Sequence, residues 1–418
     1  MLRSSWEPEL PAEDLIPLYC MWIRALCDTG DLHHAITLAR RAADELPDEA
    51  DILIALGNVH DLRGELVEAR DAFREAILCE DAGPLAHYNL GAVLERLDEE
   101  EEAESCYRTA LEVEDEPGAM YEATAALGAL LRRNGRLEEA AGVYESYLDE
   151  DPINVDILVE HGICLSDLDE FELAVERFEL ALTLEAVHAG AWYNLAITLY
   201  RMGQHEEALS AMENALRADP ESPLTLAVLG SWYLARTPDG RTREALLDDA
   251  LSMLYRALDL LTEAAPDKLS GSYASLVFEE VFEALWQRDF KNEAREVARR
   301  AGQRDWITAH VLNTLNEADH GEAPQVTAFT VTARVEAGEA PEYWPQDVQG
   351  YTRGLTVLAT DEDEAKRYSI EFLRTMEAPG VQFEIETVRP GAAEEPWDMV
   401  RPRARGVVGF ASGRSYFR

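Results

Sequence analysis

The chain has 418 residues and a hydrophobic content of 47%, so it is long enough for two domains or one long repeat array. Its 82 acidic residues against 37 basic residues give a net charge of −45. This charge disfavours binding to nucleic acid or to an anionic membrane, and it favours attraction to cationic partners. A solvated acidic surface, adapted to high salt, is the alternative explanation.

The cysteines and the first residues favour a reduced, soluble and cytoplasmic protein. The five cysteines form no CxxC motif and no Cys–His cluster with the spacing of zinc ligands, so we expect no metal site. The first residues lack the charged start and the apolar run of a signal peptide. No stretch approaches the roughly 18 uninterrupted apolar residues of a membrane-spanning helix.

One pattern of small and large residues recurs along the first part of the chain. Residues 56–77, LGNVHDLRGELVEARDAFREAI, and residues 90–111, LGAVLERLDEEEEAESCYRTAL, begin 34 residues apart with the same Leu-Gly pair. In both segments an alanine follows, and an aromatic residue stands four positions after it. Small residues let two antiparallel helices approach closely, and large residues fill the gaps between them. The pattern therefore predicts one helical hairpin per period, with stacked hairpins completing each other's core.

This period and pattern resemble the tetratricopeptide repeat. The resemblance implies a mainly α fold, in which about eight helical hairpins form a right-handed α-solenoid. The predicted array spans residues 16–318 and follows an N-terminal extension at 1–15. Its repeats are predicted at 16–49, 50–83, 84–117, 121–154, 155–188, 189–222, 223–266 and 275–305, with a capping helix at 305–318.

After residue 323 the periodicity changes to that of strands. Phe329, Val331, Ala333 and Val335 alternate with polar residues, which predicts a half-buried strand. Further strands are predicted at 354–360, 381–388 and 405–417, and a helix that Thr360 caps is predicted at 361–376. The order ββαββ predicts a small α+β domain at 324–418.

The end of this domain is cationic. Residues 401–418 contain five arginines and no acidic residue: Arg401, Arg403, Arg405, Arg414 and Arg418. Charge of this kind blunts the exposed edge of a sheet. Alternatively, the cationic end docks on the acidic array of its own chain or of a second chain.

The sequence contains no motif that indicates catalysis. It has no phosphate-binding loop and no HExxH or GxSxG motif, so we expect neither a catalytic residue nor a cofactor in the array. His161 occupies a position that is apolar in the other repeats, which predicts a packed core histidine. An activity in residues 324–418 stays open.

In tetratricopeptide folds, the first helices line a groove that holds a peptide or a partner helix. Counting Trp192 as the fourth residue of its repeat, the resemblance implies that positions two, five, six, nine, twelve and thirteen face this groove. The groove residues predicted in this way are Asn58, Tyr88, Asn89, Arg96, Arg132, Glu160, Tyr193, Asn194, Tyr200 and Arg201.

These residue types suit a polypeptide ligand. Asparagine bonds both donors and acceptors of an extended backbone, and tyrosine supplies a rigid contact surface. Asn58 and Asn89 match the asparagines of the family's carboxylate clamp. However, Ile54, Glu122 and Ala126 stand where that clamp needs basic residues, so the clamp is not expected.

The sequence thus predicts a scaffold or adaptor that binds a protein or peptide, with cationic segments, in the groove. Nucleic acid and membranes are not expected as partners. A homodimer through the end of the array or through the C-terminal domain is possible. In the alternative hypothesis, the C-terminal α+β domain is a ligand-sensing or catalytic module, and the array recruits or dimerises it.

Overall fold

The computed structural model describes residues 12–80, 82–112, 117–236, 243–263, 270–320, 322–323, 327–336, 350–359, 361–376, 381–390, 403–404 and 406–417. The chain forms two compact units, residues 1–211 and residues 212–418. The boundary between them falls inside a helix, and it does not coincide with the change of sequence pattern near residue 320.

The first unit consists of antiparallel helical hairpins, as the sequence predicts. Helices α1 to α11 are Ala12–Asp28, Leu32–Glu45, Ala50–Leu62, Leu66–Ala76, Pro84–Arg96, Glu100–Glu112, Pro117–Arg133, Leu137–Glu150, Val155–Asp167, Phe171–Leu184 and Ala189–Arg201. Helix α12, His205–Ala218, contains the boundary between the units. Helices α1 and α7 begin earlier than the predicted repeats at 16 and 121.

In four consecutive hairpins, an aromatic ring of the second helix lies directly against a glycine of the first helix. A Cβ atom on Gly91 would come within 2.6 Å of the Tyr107 ring, and one on Gly128 would come within 2.2 Å of the Tyr144 ring. Gly57 with Phe73 and Gly162 with Phe178 repeat this contact at 2.4 and 2.7 Å. Because a real Cβ contact is never this short, glycine is required wherever the ring occupies this place.

The turns within the hairpins need a left-handed backbone conformation. Four turns contain a glycine in this conformation: Gly30, Gly64, Gly135 and Gly203 have φ angles of 73–79°. Other turns place aspartates in the same region, with φ of 61° at Asp98 and 62° at Asp169. Aspartate tolerates this region better than most residues because its short side chain bonds locally. A search for turn glycines alone therefore misses these turns.

The second unit begins with the end of α12 and continues with helices and a sheet. Helices α13 to α17 are Pro223–Arg236, Arg243–Glu263, Gly271–Gln287, Lys291–Gln303 and Ala309–His320. The remaining elements are β1 (Glu322–Ala323), β2 (Thr327–Glu336), β3 (Gly350–Ala359), α18 (Glu362–Met376), β4 (Gln382–Pro390), β5 (Arg403–Ala404) and β6 (Gly406–Phe417).

The main sheet has the predicted ββαββ composition, with the strand order β4-β2-β3-β6 and antiparallel pairing throughout. Val331, Ala333 and Val335 are fully buried, which confirms the alternation predicted for β2. The short pair β1–β5 was not predicted, because two residues give no readable periodicity.

Some predictions for this region fall on residues outside the description. Thr360, the predicted cap of α18, is one of them; the side chain of Asp361 accepts the capping hydrogen bond from the Glu364 amide at 2.8 Å. Arg401, Arg405 and Arg418 also lie outside the described residues, as do the side chains of Arg403 and Arg414.

Within the second unit, the sheet and the helical hairpins share one core. Helix α18 packs on α16 so closely that a Cβ atom on Gly302 would lie 2.5 Å from the Met376 sulfur. The side chain of Arg353, on β3, is fully buried and pairs with Asp305, which follows α16. A buried charge needs such a partner, since an isolated one is costly to desolvate.

His161 is a packed core histidine, as predicted, with 4% of its surface exposed. Burial, and to a lesser extent the nearby Arg177 guanidinium, lower the pKa of its imidazole to about 4. In the unfolded chain a histidine titrates near 6.5. Above that pH the imidazole is neutral in both the folded and the unfolded chain, so its burial lowers stability only as the pH falls below 6.5.

We predict that Gly128→Ala lowers the free energy of unfolding, because the added methyl group meets the fully buried Tyr144 ring. Overpacking costs roughly 1–3 kcal/mol, which exceeds the gain of about 1 kcal/mol from the better helix former. Gly142→Ala is the matched control: Gly142 is also helical, but nothing lies near its Cβ position. The control should gain about 0.5–1 kcal/mol. Two changes of the same sign in urea unfolding would contradict the ring-on-glycine packing.

We further predict that His161→Leu removes part of the acid sensitivity of folding. As pH falls from 6.5 towards 4, the unfolded chain takes up a proton that the folded chain does not, so the parent loses on the order of 2 kcal/mol. The leucine variant lacks this loss, and leucine occupies the matching position of other repeats, for example Leu90 and Leu127. The stability difference between variant and parent should grow as the pH falls. A difference that is constant from pH 7.5 to 4.5 would refute the prediction.

Candidate functional site

All ten predicted groove residues lie on the first helices of the hairpins in the first unit. These helices are α3, α5, α7, α9 and α11. None of the ten is fully buried: four are exposed and six are half-buried. The exposed ones are Asn58, Arg96, Tyr200 and Arg201, and the half-buried ones are Tyr88, Asn89, Arg132, Glu160, Tyr193 and Asn194.

We call the groove-facing positions two, five, six, nine, twelve and thirteen of these five helices the wall. A ladder of polar contacts joins each of the five helices to the next along this wall. Position twelve of one hairpin contacts position thirteen of the following hairpin. Arg96 pairs with Asp61 in this way, and the Arg201 Nη1 atom donates to the Ser166 carbonyl oxygen at 2.7 Å. Both pairs are separated by 35 residues, one more than the repeat length.

The two middle steps of the ladder have opposite polarity. Arg133 donates to Glu95 with an Nη1–Oε1 distance of 2.7 Å. At the next junction, Arg132 supplies the positive charge and Asp167 the negative charge, 3.8 Å apart. Glu160 lies 3.9 Å from the same guanidinium. These separations are those of ion pairs without a hydrogen bond.

The predicted groove arginines therefore have a structural role that the sequence analysis missed. Arg201 also bonds Asp169 at 2.8 Å and stacks over the Phe171 ring, 4.8 Å from its centroid. Arg96, Arg132 and Arg201 connect neighbouring hairpins and are neutralised there. The interval of 35 residues between a polar residue and an arginine was the signal in the sequence.

Tyr88 lies within the electrostatic influence of two carboxylates, those of Glu122 and Glu95. Its ring lies 6.0 Å from the ring of Tyr107, whose hydroxyl donates to the Glu95 Oε2 atom at 3.0 Å. Burial raises the pKa of Tyr88, and the negative charges of Glu122 and Glu95 add to this shift. Tyr88 also packs against the core of the first unit, so its side chain contributes to the packing of the fold as well as to the groove surface.

The three predicted asparagines differ in their hydrogen bonding. Among the described residues, the side chains of Asn58 and Asn89 have no hydrogen-bond partner. The Asn194 amide instead donates to the Gly190 carbonyl of its own helix at 2.9 Å. Asn58 and Asn89 thus keep both a donor and an acceptor for a ligand.

The remaining aromatic residues of the wall lie in α11. Tyr193 is half-buried at the position that Tyr88 occupies in its own hairpin. The ring of Tyr200 lies 4.8 Å from the ring of His205, the first residue of α12. Tyr88 and Tyr193 are therefore equivalent in register, and they stand on helices three hairpins apart.

One polar cluster near the wall was not predicted. The Tyr121 hydroxyl donates to the Asp156 Oδ2 atom at 3.1 Å, and His188 Nε2 lies 3.7 Å from the other oxygen of the same carboxylate. This cluster connects α7 to α9 and to the cap of α11. Tyr121 is not among the predicted groove residues because it is the first residue of its repeat, and the predicted groove positions begin at the second.

The wall is acidic. Over the five helices, the positions assigned to it hold seven carboxylates and four arginines. The first unit as a whole has 47 acidic and 14 basic residues, a net charge of −33. All four arginines are paired, whereas Glu122 and Asp51 form no ion pair with a described residue. The free charge on the wall is therefore negative.

Neither a metal centre nor a membrane span is found in the described part of the chain. No group of three histidine, cysteine, aspartate or glutamate side chains there could hold a metal ion. No described helix is both long and apolar enough to cross a bilayer. The wall offers amide, aromatic and carboxylate groups, which suit non-covalent recognition.

Comparison with protein families identifies the hairpins. The tetratricopeptide repeat profiles match residues 20–87, 88–154 and 189–222. These matches span helices α2 to α8, α11 and α12, and so include all the helices that carry Asn58, Tyr88, Asn89, Arg96, Arg132, Tyr193, Asn194, Tyr200 and Arg201.

Among curated proteins, the chain is similar to tetratricopeptide repeat-containing protein trd-1 of Caenorhabditis elegans, 24% identical over 49% of this chain and 24% of the relative. It is also similar to protein O-mannosyl-transferase TMTC3 of Homo sapiens, 32% identical over 34% of this chain and 17% of the relative. The chain thus spans a quarter or less of the length of these relatives.

Two solved structures are similar to parts of this chain at low identity. The Cut9–Hcn1 hetero-tetramer of the APC/C matches 64% of this chain and 48% of the solved chain, with 17% identity and a TM-score of 0.45. PilF of Pseudomonas aeruginosa matches 50% of this chain and 94% of its own, with 19% identity and a TM-score of 0.43. The matching profiles and the ring-on-glycine hairpins show that the chain is a tetratricopeptide repeat protein over residues 20–154 and 189–222.

Proposed function

We propose that the protein is an interaction scaffold whose first unit binds a polypeptide with cationic segments along the wall of first helices. The observation that carries this proposal is the negative charge of those wall carboxylates that no arginine neutralises. The ladder neutralises the arginines, while Glu122 has no ion-pair partner among the described residues and stands close to Tyr88.

Tyr88 and Glu122 form a suitable contact for a lysine or arginine side chain, whereas Glu95 is already paired with Arg133 and accepts from the Tyr107 hydroxyl. The ring offers a face to the cation, worth about 0.5–1 kcal/mol at an exposed site and more when water is excluded. The unpaired carboxylate of Glu122 adds direct electrostatic attraction. An anionic ligand at this place would instead meet a like charge.

The asparagines suit the backbone of the same ligand. Asn58 and Asn89 stand on consecutive first helices, and each can both donate to a peptide carbonyl and accept from a peptide N–H group. Such contacts do not depend on the ligand's sequence. The asparagines therefore supply affinity, and the site around Tyr88 supplies the preference for a cationic side chain.

The same charge argues against direct binding of nucleic acid, because the net charge of −33 on the first unit repels phosphates. We therefore propose a protein or peptide partner. No observation in the described residues favours a ligand-sensing or catalytic role for the C-terminal α+β region, so the scaffold is the function we propose.

Glu122→Lys should weaken binding of a short fluorescent peptide of alternating lysine and leucine by about tenfold. The substitution places a positive charge beside Tyr88, and this charge repels the lysines of the peptide. Glu112→Lys is the matched control: Glu112 is exposed, at the end of the second helix α6, and its substitution changes the net charge by the same amount. Fluorescence anisotropy at several salt concentrations measures both, and the affinity of the parent should fall as salt rises.

Equal weakening by the two substitutions would show that the peptide responds to the overall charge, and the proposed wall site would be wrong. A glutamate–leucine peptide that binds the parent as tightly would refute the cationic preference. Circular dichroism of each variant confirms that the hairpins remain folded.

A further inference from the structure

Helix α10 exposes a stripe of leucines. Leu173, Leu180 and Leu184 have 44%, 38% and 44% of their surface exposed. Their spacings of seven and four residues place them above one another on one side of the helix. Single exposed leucines are ordinary on protein surfaces, but three on one stripe form a continuous apolar surface.

The other hairpins show that this stripe is not needed for the fold. The position of Leu173 is occupied in sibling repeats by His34, Glu68, Glu102, Glu139 and Glu207. The position of Leu180 is occupied by Arg41, Glu75, Thr109, Ser146 and Asn214. The position of Leu184 varies more, and includes Glu45 and Glu150. The siblings form the same hairpin with polar residues at the first two positions.

The stripe also interrupts a row of ion pairs between second helices. At two preceding junctions, position nineteen forms such a pair: Arg74 with Glu102 at 2.7 Å, and Arg108 with Glu139 at 3.3 Å. The corresponding positions at the next junction hold Glu145 and Leu173. No such ion pair can form there, and an apolar side chain stands in place of a carboxylate.

The flank of the stripe is acidic. Glu172, Glu176 and Glu179 are exposed and form no ion pair with a described residue. The helical period places all three on the same side of the leucines. A second copy of this surface, packed against the first across a twofold axis, would bring like charges together around the apolar contact, which is costly.

We propose that α10 is a second docking surface, for an amphipathic helix of a partner that carries leucine-like residues on one face and lysine or arginine beside them. The apolar face covers Leu173, Leu180 and Leu184, and the basic flank meets the three glutamates. This surface lies on a second helix, so it is distinct from the wall of first helices and does not depend on ligand binding there.

The test uses the full chain and a designed helical peptide with leucines at heptad spacing and lysines beside them. The triple variant Leu173→Glu, Leu180→Thr and Leu184→Glu takes the residue types of sibling repeats, so we expect it to fold. It should bind the peptide at least about tenfold more weakly than the parent. Val67→Glu with Leu78→Glu and Ile153→Thr is the matched control, because it removes three exposed apolar residues that form no such stripe and adds the same two charges.

Two further peptides separate the proposed contact from general attraction to an acidic protein. A peptide of the same composition with scrambled leucines should bind about tenfold more weakly than the designed one, and so should a peptide with glutamates in place of lysines. Equal binding of the designed and scrambled peptides, or of the parent and the triple variant, would overturn the proposal. Dimerisation of the parent that the triple variant abolishes, measured by light scattering, would also overturn it, since the occupant would then be a second copy. If the triple variant loses helicity, the single variant Leu180→Thr is compared in its place.

Discussion

The close approach of an aromatic ring to a glycine is the contact on which the first unit depends. Each ring fills the space that a missing Cβ atom leaves on the first helix of its hairpin, as Tyr107 does over Gly91 and Tyr144 over Gly128. The two helices of a hairpin are thereby held at one separation. Since four consecutive hairpins use the same contact, their first helices present equivalent positions at a regular interval.

The ladder along the first helices follows from this regularity. A residue at position twelve meets position thirteen of the next hairpin because the hairpins repeat, and the polarity of the pair is free to vary, as Arg96–Asp61 and Arg132–Asp167 show. The ladder removes the arginines from the charge that a ligand meets. What the wall offers a partner is therefore acidic, aromatic and amide-bearing, although it contains four arginines.

The second unit uses the same close packing for a different purpose. Gly302 admits the Met376 side chain of α18, so the sheet and its helix pack directly on the last hairpins and form one core with them. The pairing of buried Arg353 with Asp305 fixes the register of this contact, because a buried guanidinium has few acceptable positions. The α+β region is thus a layer on the hairpins of its own unit.

The sequence by itself determined the hairpins, the glycines of their turns and the ββαββ order, because helical and strand periodicities are local and recur. It also predicted that the ten groove candidates lie on first helices and that His161 is a core residue. Tertiary structure decided which of those residues remain available to a ligand, since Arg96 and Arg201 are hydrogen-bonded to residues 35 positions earlier in the chain. It decided, too, that the compact units divide inside α12, because shared cores depend on contacts between distant segments and not on the local pattern.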